Sequence, residues 1–301
     1  MAIQEFGRRA DVPRGAFSPG IRMMDPAEHS DFHVISAKKR RSLASLFEIP
    51  AYADLLRFLV LRSIKVRYAQ SVLGFGWAII QPLMQMFVFT IIFGTLIGVK
   101  SDGENYAVFA FTALVPWTYF SNALTQATSS LTANANLISK IYFPRLILPL
   151  SEVSARLIDF LIGMVMLFIM LLVYGVAPSP GWLLVPVLVI IMIMTAAGAA
   201  FWLSALSVQY RDVNYASTFM VQILMYASPV VYSVNIIPAD YQRLYALNPM
   251  VGVIDGFRSA LLGSAPHRLD LIAIGAVVSL ILFVSGAIYF QRRQHIFADV
   301  G

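Results

Sequence analysis

The stretch Phe160–Tyr210, FLIGMVMLFIMLLVYGVAPSPGWLLVPVLVIIMIMTAAGAAFWLSALSVQY, contains no Asp, Glu, Lys or Arg. A helix needs about 20 consecutive apolar residues to cross a bilayer, and this stretch holds two such lengths. Between them Gly175–Gly181 (GVAPSPG) gathers the prolines and glycines of a tight turn. Working outward, charge-free runs at Tyr68–Val99, Asn105–Ser139, Val213–Ala239 and Leu271–Gln291 each have room for one further span. The expected spans are Leu73–Gly98, Tyr106–Ser129, Leu150–Tyr174, Trp182–Val208, Tyr215–Tyr232 and Leu269–Gln291. The fold class is therefore an all-α polytopic membrane protein with six transmembrane helices. Composition agrees: 58% of the 301 residues are hydrophobic and 13% charged, too few charges to coat a soluble domain.

Six spans place both termini on one side. Eighteen of the 22 Lys and Arg fall on that side, leaving Lys100, Arg243, Arg258 and Arg268 opposite. The positive-inside rule then makes both termini cytoplasmic. The net charge of +6 belongs to this orientation, and no nucleic acid partner is expected. Residues 1–48 lack the apolar core of a secretory signal and read as a cytoplasmic tail. Its basic run Lys38–Arg41 suits anionic lipid headgroups.

Residues 49–67 read as an amphipathic helix lying in the inner membrane interface. Tyr52, Leu55, Leu56, Leu59, Val60 and Val66 share one side at helical spacing; Asp54, Arg57, Arg62 and Lys65 lie opposite, with Arg67 closing the segment. Residues 68–301 then form the transmembrane domain. Within it Asn235–Pro266 is too long for a turn and splits at Asn248–Pro249 into two short helices before the last span. Gly252 and Gly256 give the second a small-residue face for close packing, as re-entrant outer helices covered by protein require.

Catalytic chemistry finds no support. Cysteine is absent. Gly94–Ser101 (GTLIGVKS) has three residues between its glycines and Val99 before Lys100, so it cannot cradle phosphate as a P-loop does. His29 and His33 have metal-ligand spacing but sit in the polar tail, and no metal site is expected. Glu152, Arg156 and Asp159 make an ion-pair ladder at the inner base of the third span.

The spans instead carry amides and aromatic rings. Trp77, Gln81 and Gln85 repeat every four residues along span one, where Pro82 lies. Tyr215, Phe219, Gln222 and Tyr226 make a similar face on span five, and span two has Asn122 and Gln126. Amides are costly against lipid, so they face protein or a wet path; with aromatic rings they suit carbohydrate.

Arg67–Gly94 (RYAQSVLGFGWAIIQPLMQMFVFTIIFG) resembles the first span of ABC-2-type permeases that export polysaccharide. So do PWTYFSNAL at Pro116–Leu124, NANLISKIYFPRLILP at Asn134–Pro149, VQYRDV at Val208–Val213, NPMVGVIDGFRSALLG at Asn248–Gly263 and FADV at Phe297–Val300. The resemblance implies a homodimeric permease with two separate ATP-binding-cassette ATPase subunits, on which ATP and Mg²⁺ sit. This chain itself would hold no cofactor and be no enzyme. It implies an ATPase-coupling helix at Asn134–Phe143, where Asn136, Leu137, Ile138, Lys140, Ile141, Tyr142 and nearby Arg145 offer contacts. It implies an outer gate built from the short helices before span six. The cargo would be a polyprenyl-linked polysaccharide, O-antigen first, crossing the bacterial inner membrane. Teichoic acid, a capsule glycan or a small lipid or drug are the alternatives.

Overall fold

The computed structural model of the chain describes residues 49–69, 74, 76–263 and 268–294. The tail with Lys38–Arg41, His29 and His33, and the C-terminal FADV, lie outside the described residues. Among the described residues every regular element is helical.

A short 3₁₀ turn at Ile49–Tyr52 leads into α1 (Ala53–Tyr68), the expected interface helix. Leu59 is buried, and Tyr52, Leu55 and Leu56 pack partly against the core, while Arg57, Arg62 and Lys65 are exposed. Val66, expected on the apolar side, is 69% exposed. It lies seven residues after Leu59, on the same face, but there borders an open hollow that it shares with Arg62, Gln126 and Leu148.

α2 (Gly76–Phe89) runs through Pro82 and widens into a π-helix at Thr90–Leu96, giving a continuous apolar helix Gly76–Leu96. α3 (Tyr106–Thr128) is the central post of the bundle. Asn105 caps its start by accepting from the Ala107 amide, and it is buried along nearly its whole length. Two short helices follow, α4 (Ser130–Ala133) and α5 (Ala135–Lys140). The third span is built from α6 (Ile147–Ala155) and α7 (Leu157–Val173), and ends at the expected turn, where Gly175 takes φ +71. α8 (Val185–Gln209) enters through a 3₁₀ turn at Pro180–Leu184.

α9 (Val213–Tyr226) departs from expectation. Fourteen residues at 1.5 Å each reach about 21 Å, short of the ~30 Å hydrocarbon core. The expected span Tyr215–Tyr232 breaks because Pro229 has no amide hydrogen to continue the helix and disfavours helical geometry at Ser228. Five helices, at Gly76–Leu96, Tyr106–Thr128, Ile147–Val173, Pro180–Gln209 and Leu269–Arg293, are long and apolar enough to cross a membrane. α10 (Ala239–Tyr245) and α11 (Pro249–Leu262) are the two short helices expected before the last span, divided at Asn248–Pro249. α12 (Leu269–Arg293) completes the bundle.

Small residues set the closest contacts, as packing without a hydrophobic drive requires. A Cβ on Gly252 would lie 2.6 Å from the Leu271 carbonyl oxygen, and one on Gly256 2.6 Å from the Leu188 side chain. The sequence-expected glycine face of α11 is therefore the face that seats it against α8 and α12.

Candidate functional site

The end of α1, Gly74 and the start of α2 face α3 and α7 across a cavity of about 300 Å³. Its walls include Trp77, Gln81 and Asn122, three of the residues singled out from sequence. Trp77 stands 53% exposed at the edge. Pro82, Tyr119 and Phe160 supply apolar surface. The charged end holds Arg67, Arg156 and Asp159. A cavity lined by amides, rings and charges in an otherwise apolar bundle is where a polar ligand can be held without facing lipid.

Asp159 organises that end. Its carboxylate accepts from Arg67 Nη1 at 2.9 Å, from Arg156 Nη1 at 3.1 Å and from the Tyr68 hydroxyl. The Tyr68 hydroxyl is pushed up to about 12, chiefly by burial and then by the carboxylate it donates to. It therefore stays a donor throughout the physiological range. One turn earlier Ser63 Oγ donates to Glu152 Oε2 at 2.7 Å, and Arg62 Nη1 to Asn134 Oδ1 at 3.3 Å. The Arg156–Asp159 rung of the ladder read from sequence forms, and the ladder also serves as a berth for α1: Glu152 takes Ser63, and Asp159 takes Arg67 and Tyr68. Sequence spacing shows that rung but not the contacts to α1, because nothing local shows which distant helix arrives. A neighbouring cavity of about 260 Å³ shares Arg67 and Arg156 and brings in Gln126, whose Oε1 accepts from Arg156 Nη2 at 3.5 Å.

The remaining stripe residues lie elsewhere. Gln85 turns toward α9, with Nε2 3.8 Å from Met225 Sδ. On α9 the side chains of Ser217 and Val221 point into the bundle. Tyr215, 80% exposed, and Phe219, Gln222 and Tyr226 look away from it. Within one chain the α9 face and the Trp77–Gln81 cavity are therefore separate surfaces.

On α5 and the turn after it, Asn136 and Lys140 are exposed, whereas Leu137 and Ile138 pack partly against the chain's own core. Ile141 and Tyr142, the latter 87% exposed, are the outward apolar surface. They border a hollow of about 250 Å³ that ends at Arg145, whose guanidinium donates to the Gln294 carbonyl.

These features, an apolar helical bundle with a polar-aromatic inner cavity and a protruding loop after the second span, coincide with a family match over residues 54–262. The chain belongs to the ABC-2 type transporter family. It is a multi-pass membrane protein. Among similar ABC-2 proteins, the O-antigen export system permease protein RfbA of Klebsiella pneumoniae is 29% identical over 267 residues, 88% of this chain and 100% of that protein. RfbA of Myxococcus xanthus is 29% identical over 253 residues, covering 82% and 95%. The polysialic acid transport protein KpsM of Escherichia coli is 22% identical over 242 residues, covering 78% and 92%.

Arg258 is the functional-site candidate that sequence reasoning missed. It counts among the outer-side charges of the orientation argument, yet it is 6% exposed. The available signal was its setting: an ionisable side chain in the apolar run PMVGVIDGFRSALL, which in a membrane protein marks a site by default.

Proposed function

We propose that this ABC-2 chain is the permease subunit of an exporter that moves a lipid-linked polysaccharide, O-antigen, across the inner membrane. It works as a homodimer with two ATPase subunits that hold ATP and Mg²⁺; both termini lie on the cytoplasmic side if α9 and the stretch after it together make one further crossing beside the five long helices. The observation that carries this reading is the similarity, over more than four fifths of this chain, to named O-antigen export permeases. The inner cavity supports it: Trp77 offers a ring face, and Gln81 and Asn122 offer amides to sugar hydroxyls. The α9 face of Tyr215, Phe219, Gln222 and Tyr226 continues the path once two copies enclose it.

Deleting the gene should remove polysaccharide from the cell surface and leave it accumulating inside on its lipid. Complementation with Gln81→Ala or Gln222→Ala should restore most export, because a moving chain needs many weak contacts. Trp77→Ala combined with Tyr226→Ala should lower export about tenfold, the effect of losing ~1.4 kcal/mol of aromatic contact. Surface polysaccharide unchanged in the deletion strain would overturn the reading.

The hollow beside Tyr142 is the proposed ATPase contact, with Ile141 and Tyr142 as anchors and Asn136, Lys140 and Arg145 as the polar rim. Lys140→Glu with Tyr142→Ala should weaken ATPase association about tenfold or more, as loss of an aromatic anchor does, while membrane insertion is unaffected. Co-purification of tagged permease with its ATPase measures this, and undiminished recovery counts against the surface.

A further inference from the structure

Between α9 and the outer helices the backbone of Ala227–Tyr232 is irregular, at the end of a helix too short to cross the bilayer by itself. Lipid offers such backbone no hydrogen bonds, so the protein must supply them. It supplies all six carbonyls. Ser228 O accepts from the Val230 amide at 2.7 Å. Arg258 donates to Pro229 O at 2.6 Å, Val230 O at 2.8 Å and Tyr232 O at 2.9 Å. Tyr106 from α3 donates to Val231 O at 2.8 Å. Asn248, the cap of α11, donates to Ala227 O at 3.5 Å and to Ser228 Oγ at 2.8 Å.

The same guanidinium ties in α3, donating Nε to Phe109 O at 3.3 Å and lying 3.4 Å from the centre of the Phe109 ring. A planar fork with five donors can serve four carbonyls at once, which an ammonium cannot. From the other direction Tyr232 donates to Tyr226 O, at the last turn of α9, at 2.9 Å, and its hydroxyl lies 2.8 Å from that of Tyr245 in α10. The final stripe residue, Tyr226, is thereby fixed relative to α3, α10 and α11 by a network centred on one buried side chain.

We propose that Arg258 is a positioning residue: by capping the broken end of α9 it sets where the aromatic face of that helix stops and holds Tyr226 in place at the outer end of the path. This rests on the reading of α9 as a path wall. The cargo never touches Arg258; the effect passes through backbone carbonyls.

The chain has no cysteine, so single thiols report cleanly. Tyr226→Cys and Tyr215→Cys would each be placed in the native chain and with Arg258→Lys or Arg258→Met. Reaction with a water-soluble, membrane-impermeant methanethiosulfonate would be timed in membranes holding the intact exporter. Arg258→Met should change the rate at position 226 about tenfold, the equivalent of ~1.4 kcal/mol, and leave position 215, three turns away, essentially unaltered. Arg258→Lys, keeping the charge without the fork, should fall between. Equal change at both positions, or none at either, would overturn the assignment. If Arg258→Met does not accumulate, Asn248→Ala removes a neutral member of the same network. It should shift position 226 alone, and the same two results would again overturn the proposal. The readout needs no cargo, so it stands apart from the functional reading. A shifted rate at 226 with undiminished surface polysaccharide would count against α9 as a path wall and leave the role of Arg258 intact.

Discussion

Alanine at Gly286 should lower the thermal unfolding temperature of the detergent-purified protein sharply and cut its abundance in membranes several-fold. A Cβ there would lie 2.4 Å from the Gly198 carbonyl oxygen and 3.0 Å from Trp202 Cδ1. The obstacle is backbone, which cannot swing aside, so α8 and α12 must part. That separation strains their whole seam. Thr195 and Ser279 hydroxyls meet at 2.7 Å, Trp202 Nε1 donates to Ser285 Oγ at 3.2 Å, and Trp202 stacks on Tyr289 with 4.1 Å between ring centres. Forced overpacking costs about 1–3 kcal/mol, and a seam shared by these three contacts places this substitution at the upper end. Gly163→Ala is the control, because its Cβ would meet only the Val115 side chain at 3.3 Å, which can adjust. Equal unfolding temperatures for the two variants would refute the backbone-contact explanation.

Asp159→Ala should loosen α1 from the bundle and lower both stability and export. The carboxylate is shared by Arg67 and Arg156, whose side chains are 18% and 16% exposed, and by the Tyr68 hydroxyl. Its removal leaves the Arg67 and Arg156 guanidinium groups repelling each other, with only Glu152 near Arg156 as a counter-charge. Breaking a fully buried pair costs ~3–5 kcal/mol; the residual water contact here brings the expected loss to about 2–3 kcal/mol. Hydrogen exchange at α1 amides should accelerate while amides of α8 and α12 hold their protection. Asp159→Asn, which keeps an acceptor but no charge, should lie between the two. Unaltered exchange in α1 would mean that the helix is held by Leu59 and its apolar neighbours alone.

The spans were legible where charge-free runs are long and unbroken, because exclusion of charge is dictated by the solvent and requires no knowledge of neighbours. The fifth was not. Val213–Ala239 is free of charge, but hydropathy averages over Ser228–Pro229, and a missing amide hydrogen has no weight in such an average. Side-chain periodicity singles out Trp77 and Gln81, which the structure gathers with the span-two amide Asn122 round one cavity. It also found the α9 face, but placed that face opposite span one, whereas in a single chain it points outward. Which stripe meets which is a property of tertiary packing that spacing along one helix does not encode. Leu137 and Ile138 show the same limit: expected as contacts for an ATPase, they are partly consumed by their own core. Arg258 was hidden for a different reason. Its partners are backbone carbonyls of Phe109, Pro229, Val230 and Tyr232, far from it in sequence and carrying no side-chain signature.

The shortness of α9 has a mechanical consequence for the surrounding lipid. A helix of about 21 Å beside a hydrocarbon layer of ~30 Å leaves roughly 9 Å of mismatch along one flank of the protein. Each ångström of such mismatch costs a fraction of a kcal/mol in stretched or compressed acyl chains. A flank that lipid covers poorly is one that lipid readily yields to another surface. The bilayer itself thus favours burying the face that carries Tyr215, Phe219, Gln222 and Tyr226, and bilayer thickness becomes a variable that tunes how firmly that face is sealed.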